Sequence, residues 1–320
     1  IGLKMPQDHQ NWLSPRDVEN LLDLCNLEVI RSGRKMLFPW RIPLLSIFIN
    51  RYIANLPLIN NLCLINYTVA AIKCSSPRLP DATVSIIIPC RNEAGNILSG
   101  IQRIPDMGAH TEIIYVDGNS NDGTVEAIEK IIEQYGPDRD IKLINQLPQG
   151  SEDGRDHGRM LKLGKGDAVR KGFEAASGDV LMILDADLTV MPEELPRFYH
   201  ALTSGKAEFI NGTRLVYPME REAMRILNKI ANKLFALTFS WLLGQRIKDT
   251  LCGTKVLYRS DYHAIAQNRE YFGDFDPFGD FDLLFGAAKL NLKIIDMPVH
   301  YAERVSGEIK IERFRHGLLL

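Results

Sequence analysis

Val180-Leu181-Met182-Ile183-Leu184-Asp185-Ala186-Asp187 is a run of branched apolar residues that ends in two carboxylates one residue apart. Gly178 bounds it on one side and Pro192 opens a helix soon after on the other. Its length and flanks therefore favour a buried central strand over a helix. Two carboxylates at i and i+2 beside a strand tip need a counter-charge, and a hard divalent cation with oxygen ligands is the usual one. In open α/β sheets ligands bind at such carboxyl ends. An Asp-x-Asp taken alone is also what a solvated loop shows, so the rest of the chain has to decide between the two.

The 320 residues are 45% apolar and 24% charged, enough for one large domain plus something smaller. A formal net charge of -2 excludes the strongly basic balance of a nucleic-acid binder. Five cysteines with no Cys-x-x-Cys pair indicate neither a disulfide framework nor a zinc site, and make a reducing compartment the default expectation. No uninterrupted apolar run reaches membrane-spanning length. The chain starts at Ile1 with no signal-peptide pattern, and a fragment of something longer is expected.

From Val84 onward, apolar strands alternate with amphipathic helices. Val84–Pro89 is a strand, and Cys90-Arg91-Asn92-Glu93 is the turn into a helix from Ala94 toward Ile104. Glu112–Val116 is a second strand ending in Asp117, followed by a helix capped by Asp122; Ile141–Ile144 is a third. Gly164-Lys165-Gly166 opens another helix, a candidate phosphate cradle at a helix N-terminus. Then come the strand ending in Asp185 and Asp187 and a helix from Pro192. This rhythm predicts βαβ units and a mostly parallel sheet flanked by helices, an α/β fold.

Ahead of this, Ser14-Pro15 with Asp17 in the first turn predicts a helix, and Leu27–Ile30, Arg34–Phe38 and Leu62–Ile72 look like strands around a more helical stretch, Pro39–Pro57. These elements make a small N-terminal α+β segment. No acidic residue lies between Glu28 and Asp81, while Arg31, Arg34, Lys35, Arg41, Arg51, Lys73 and Arg78 stand among dense Leu, Ile, Phe and Trp. Such a patch suits an anionic bilayer surface. Ser75–Pro80 is the expected linker, dividing the chain into residues 1–78 and 79–320. A second basic stripe, Arg221, Arg225, Lys229 and Lys233, leads into the uncharged Leu234–Leu243 with Phe235, Phe239 and Trp241, the pattern of an interfacial helix.

The ordered motifs VSIIIPCRNE, EIIYVDGNSNDGT, GKGDAVRKG, GDVLMILDADLTVMPEEL, NGTR, DTLCGTK, FGDFDLL and IDMPVHYAERVSGEIK, over roughly residues 83–313, resemble family 2 inverting glycosyltransferases of the GT-A (Rossmann-like) fold, in particular the branch that makes polyprenyl- or dolichyl-phosphate sugars. The stretch NWLSPRDVENLLDLCNLEVI resembles the C-terminal end of class I S-adenosylmethionine-dependent methyltransferases, whose glycine-rich cofactor loop is absent, so an upstream methyltransferase domain is the expected partner and no methyl transfer is expected here.

The glycosyltransferase resemblance implies roles for individual residues. Pro89, Asn92 and Glu93 lie where the nucleoside is held, and Asp117 falls in the acidic pair that reads the base, with Gly118 where a second aspartate is usual. Asp185 and Asp187 match the metal-binding Asp-x-Asp that would hold Mg²⁺ or Mn²⁺ against the donor diphosphate, and Thr189 replaces a third ligand that is often glutamine. Lys165 and Arg214 are expected at donor phosphates, and Arg304 and Lys310 match a distal basic pair that meets phosphates, with Ile309 where serine is common. Asp282 occupies the acceptor-side acid position, and helix capping is expected of Asp280.

The implied protein is a hexosyltransferase in which Asp282, Asp187 and Arg304 are catalytic. It would take a nucleotide sugar as donor and a lipid phosphate as acceptor, peripherally on the cytoplasmic face of a membrane. Alternatives are a family 2 enzyme acting on a sugar hydroxyl of a glycan and a non-enzymatic membrane scaffold. A sugar nucleotidyltransferase would need a glycine-rich basic loop that is missing near Pro89–Glu93.

Overall fold

The computed structural model describes residues 13–56, 58–73, 79, 81–146, 155–156, 159–160, 164–214, 216, 226–268 and 279–302, of which 155–156, 159–160, 226–232 and 280 by their backbone alone. The chain divides into two compact units, Ile1–Cys74 and Ser75–Leu320.

In the first unit, α1 (Pro15–Leu24) starts with a capping box. Ser14 Oγ accepts the Asp17 N–H at 3.2 Å, and Asp17 accepts the Ser14 N–H at 2.7 Å. β1 (Leu27–Lys35) pairs antiparallel with β2 (Ile65–Ile72). The two predicted strands over 27–38 are thus one strand with a register shift between Val29 and Arg31, and it stops before Met36, whose φ is 63°. Gly33 belongs in the middle of it because Tyr67 lies across: a Cβ there would stand 2.6 Å from the Tyr67 hydroxyl. Between the strands, α2 (Leu45–Phe48) runs into a wider π-helical turn, Ile49–Ile53, and a 3₁₀ turn, Ile59–Leu62, follows.

The second unit is built on a seven-stranded sheet. Its strands are β3 (Val84–Cys90), β4 (Thr111–Asp117), β5 (Asp140–Asn145), β8 (Val180–Ile183), β9 (Phe209–Thr213), β10 (Lys255–Tyr258) and β11 (Ile294–Pro298), in the spatial order β11-β9-β10-β8-β3-β4-β5. β6 (Arg155–Asp156) and β7 (Arg159–Met160) form a separate two-stranded ladder. β10 runs antiparallel to both neighbours and every other pairing is parallel, so the sheet is mostly parallel as expected. The helices are α3 (Ala94–Arg103), α4 (Thr124–Tyr135), α5 (Lys165–Ala175), α6 (Leu195–Thr203, preceded by a 3₁₀ turn from Pro192), α7 (Ile226–Leu243), α8 (Arg259–Gln267) and α9 (Asp280–Lys289).

Two apolar layers follow from the alternation along β3. Ile86 and Ile88 pack with Ile97 and Ile101 of α3, Ile128 and Ile131 of α4, and Phe198 and Leu202 of α6. Ile87 points the other way, into a layer with Val169 and Phe173 of α5, Ile265 of α8, and Leu283 and Leu284 of α9. α5 comes so close that a Cβ on Gly172 would stand 2.5 Å from Ile87 Cγ2. Both faces of the sheet are covered, which is why β3, β4 and β8 read as unbroken apolar runs.

α7 corrects one expectation about its faces. Phe239 stacks on Phe281 of α9 with ring centroids 4.9 Å apart, and Leu243 is buried in the core. Among the described residues of α7, the large apolar side chains left in the open are Leu234, Leu237, Trp241 and Leu242.

Candidate active site

Strand direction collects the sequence's polar motifs on one edge of the sheet. β3, β4, β5, β8, β9 and β11 all end there, and β10 begins there. The chain leaves β3 toward β4 and β5, then returns to place β8 on the other side of β3. That reversal is where open α/β sheets form their ligand crevice.

On one side of the crevice the turns after β3 and β4 are stitched together. Asn92, at φ 53°, donates its N–H to Ser120 Oγ at 2.9 Å and accepts the Asn121 N–H at 2.9 Å. Glu93 donates its N–H to Thr124 Oγ1 at 2.8 Å and accepts from Asn96 at 2.7 Å. Asp122 accepts N–H bonds from both Thr124 and Ala94, although the N-cap position itself is Gly123. The buried Asp117 carboxylate accepts from the Ser120 N–H at 3.0 Å and its hydroxyl at 2.5 Å. Pro89, Asn92, Glu93 and Asp117 are therefore brought together. Gly118 has a packing reason: a Cβ there would stand 3.2 Å from Gln146 Oε1 and 3.3 Å from Arg91 Cβ. Gln146, which the sequence did not single out, ties this side to α5. Its N–H reaches the Asp117 carbonyl at 2.8 Å, and its side chain donates to Gly164 O at 3.0 Å and Asp167 Oδ2 at 2.9 Å.

At the centre, β8 stops at Ile183, so Asp185 and Asp187 sit on a turn beyond the strand and not on its tip. The turn closes through the Leu188 N–H to the Asp185 carbonyl at 3.2 Å, with Leu188 at φ 55°. Asp187 Oδ1 accepts from the Thr189 hydroxyl at 2.8 Å and its N–H at 3.1 Å, so Thr189 orients an acid here. Lys165, the first residue of α5, forms an ion pair with Asp185. Gly253 packs Cα-first against the pair, where a Cβ would collide with both Asp185 Oδ2 and Lys165 Nζ. Burial pushes the Asp185 carboxyl up, but Lys165, with Lys255 and Arg214 behind it, pulls harder and holds it below its ordinary value.

On the far side, Arg214 follows β9 and is gripped by the fully buried Asp249: Nε to Oδ2 at 2.8 Å, Nη2 to Oδ1 at 2.9 Å, and the Arg214 N–H to Oδ2 at 3.0 Å. Tyr301 covers the guanidinium face at 5.3 Å. Burial would lower the Arg214 pKa, and the Asp249 charge more than reverses that. Two of its side-chain donors are thus already committed. Cys252 is buried, and burial with the Asp249 charge pushes its thiol up to about 12. The segment after β11 closes this side. The Val299 N–H bonds Thr213 O at 3.0 Å, the Ala302 N–H bonds Thr189 O at 2.9 Å, and His300 pairs with Glu194. Asp249, Lys255 and Tyr301 join the site only through contacts distant in sequence; Asp249 is 35 positions from Arg214.

Asp282 is buried in the first turn of α9. The N-cap position is Gly279, at φ 72°, so Asp280 stands one residue inside the helix and not at its cap. A Cβ on Gly279 would stand 2.8 Å from Gly166 Cα, which sets this helix start against that of α5, next to Lys165. Arg304 and Lys310 lie outside the described residues, as do Arg221 and Arg225.

Among the described residues no group of three or more His, Cys, Asp or Glu side chains could enclose a metal ion. The donor set nonetheless fits a hard cation. Asp185 and Asp187 offer oxygen ligands from one turn, and Mg²⁺-like ions are commonly held by one or two carboxylates, with phosphate and water completing the shell.

The mostly parallel sheet, with an acid-bearing turn at its switch point and basic groups around it, defines a GT-A fold. The chain belongs to glycosyl transferase family 2, whose sequence profile matches residues 85–272. Dolichol-phosphate mannosyltransferase of Pyrococcus furiosus is 28% identical over 234 residues, 72% of this chain and 59% of its own length. Dolichyl-phosphate hexose transferase of Haloferax volcanii is 29% identical over 223 residues, 70% of this chain and 82% of its own. Undecaprenyl-phosphate 4-deoxy-4-formamido-L-arabinose transferase of Aeromonas hydrophila is 27% identical over 234 residues, 71% and 62% of the two chains. Among solved structures, Mycobacterium tuberculosis glucosyl-3-phosphoglycerate synthase with UDP superposes with a TM-score of 0.51 at 20% identity, covering 72% of this chain and 74% of that one. The same enzyme with Mn²⁺, UDP and glucosyl-3-phosphoglycerate gives 0.50 at 18%, covering 74% and 76%. At these identities the likeness shows the fold alone.

Proposed function

We propose that this protein transfers a hexose from a UDP- or GDP-sugar to a polyprenyl or dolichyl phosphate at a membrane surface, inverting the anomeric carbon in one in-line displacement. The observation that carries the proposal is the convergence of Asp185, Asp187, Lys165 and Arg214 on one sheet edge of a family 2 chain whose relatives are named as polyprenyl-phosphate sugar transferases. Asp185 and Asp187 would hold Mg²⁺ or Mn²⁺, which when bound neutralises charge on the leaving nucleotide. Asn92, Glu93 and Asp117 position the nucleoside, and Lys165 meets the diphosphate. Arg214, held by Asp249, supplies a fixed positive charge. Arg304 and Lys310 receive the acceptor phosphate, and Asp282 orients the acceptor. No covalent enzyme intermediate is required, because a phosphate monoester, with a second pKa of about 6, already carries a nucleophilic oxyanion at neutral pH.

The membrane setting rests on the exposed Leu234, Leu237, Trp241 and Leu242 of α7, beside the exposed Lys233. The contact proposed is peripheral and on the cytoplasmic face; among the described residues no helix is long and apolar enough to cross a membrane. Residues 1–78 are proposed as the tail of an upstream methyltransferase-like domain. Among the described residues the buried apolar side chains of this stretch are Ile30 and Ala54, and a lone two-stranded hairpin is marginal without a further surface.

The test is a product assay. The chain is incubated with radiolabelled UDP- and GDP-hexoses, Mn²⁺ and a polyprenyl phosphate in detergent. Label extracted into organic solvent, and lost in Asp187→Ala, is expected. Label appearing only on a glycan hydroxyl, or only as free sugar, contradicts the proposal.

A further inference from the structure

The Lys165–Asp185 pair places a positive charge on a carboxylate that the transferase assignment needs for a metal ion. Both groups are half-buried, and Gly253 presses on them from above. Lys165 extends from the N-terminus of α5, and Asp185 stands on the turn after β8. Lys255 and Arg214 also bear on Asp185, but Arg214 is already committed to Asp249, and Lys255 is fully buried, donating to Cys252 O at 2.5 Å. Lys165 is the cation of the three whose side chain is carried on a flexible stem and is more than a quarter open to solvent, at 28%. A divalent ion seated on Asp185 and Asp187 would lie within a few ångströms of that ammonium, and two like charges at such a distance repel strongly in a partly desolvated site.

We propose that Lys165 is an exchangeable counter-ion. It neutralises Asp185 while the site awaits its ligands, and it swings from Asp185 to a phosphate of the nucleotide as the metal ion binds. The inference rests on the transferase assignment and adds a regulation to it. Metal alone must draw Asp185 away from Lys165 and brings no anion in exchange, so it binds weakly. Metal together with a nucleoside diphosphate gives Lys165 an anion to move to, so each strengthens the other's binding, equally in both directions. The coupling keeps Asp185 and Asp187 from being filled by free divalent ions when no donor is present. Lys165 is in this sense a positioning residue whose signature is thermodynamic coupling.

The experiment is a Mn²⁺ titration of the full chain followed by the EPR signal of the free ion, alone and with saturating UDP or GDP. Wild type is expected to bind Mn²⁺ at least about tenfold more tightly with nucleotide than without. Lys165→Met should tighten binding of Mn²⁺ alone by about tenfold, the size of one charged hydrogen bond, and reduce the coupling to about threefold or less. Lys165→Gln carries the same expectation should the methionine variant melt early, and Lys165→Arg should restore the coupling. Unchanged or weaker binding of Mn²⁺ alone in both uncharged variants, with wild-type coupling, overturns the counter-ion exchange while leaving the transferase assignment standing. A folded wild type that binds no Mn²⁺ with either nucleotide overturns both.

Discussion

Arg214 and Asp249 meet through two side-chain hydrogen bonds of 2.8 and 2.9 Å, with the carboxylate fully buried and the guanidinium covered by Tyr301. The pair fastens the end of β9 to the loop that passes over Asp185. Asp249→Ala leaves a buried guanidinium without the carboxylate that grips it and should cost about 3–5 kcal/mol in a urea melt. Asp249→Asn, which keeps one acceptor, should cost less. A loss below about 1 kcal/mol in the alanine variant would mean that Arg214 finds another partner.

Acid stability should depend on Glu112. This buried carboxylate accepts from the Ser177 N–H at 2.9 Å, from Ser85, and from Lys142 on the neighbouring strand. Burial pushes its pKa up, and Lys142 with the hydrogen bonds pulls it further down, so the folded value lies below the ordinary 4.5. A depressed folded pKa stabilises fully above the unfolded value and is lost as pH falls through the folded one. Glu112→Gln should therefore cost about 1–3 kcal/mol at pH 7. The deficit should shrink in thermal melts as the pH is lowered from 5 toward about 3. A deficit that stays constant with pH contradicts this account.

The membrane contact is tested on α7. Leu237→Asp with Trp241→Asp, two exposed side chains, should reduce co-sedimentation with anionic vesicles several-fold and leave the melting curve nearly unchanged. Lys233→Gln should weaken binding mainly at low salt. Equal sedimentation of all variants would place the bilayer contact elsewhere.

Asp282 separates the two acceptor classes. If the nucleophile is a phosphate oxyanion, Asp282→Asn should reduce turnover modestly, by about tenfold or less, because no proton has to be removed. General-base assistance to a sugar hydroxyl is worth roughly 10² to 10⁴ in rate. Near-complete loss of kcat with unchanged donor affinity would favour the hydroxyl acceptor.

The alternation of strands and helices was legible because both faces of the sheet are covered, which leaves continuous apolar runs at β3, β4 and β8. The tip of β8 was not, because the apolar run continues to Leu184 while the turn is set by the Leu188 N–H returning to Asp185 O. Asn92, Glu93 and Asp117 could be placed as strand-end residues, but their stitching depends on Ser120 and Thr124, whose hydroxyls carry no distinctive pattern. Lys165 was visible as a helix-start lysine, whereas its pairing with Asp185 depends on Gly253 passing close by. On α7 a uniformly apolar stretch could not say that Phe239 faces α9 and Leu237 faces out.

The acids beyond β8 are proposed to bind a metal ion together with a nucleoside diphosphate, which calorimetric titration of UDP and GDP into wild type and Asp187→Ala, each with Mn²⁺ and with EDTA, measures outright. Wild type should bind one nucleotide far more tightly with Mn²⁺, and at 100 times the dissociation constant that complex should add ~2.7 kcal/mol to stability. Asp187→Ala should fold normally and lose the metal-dependent part. Equal nucleotide affinity with Mn²⁺ and with EDTA, in wild type and variant alike, would contradict the account.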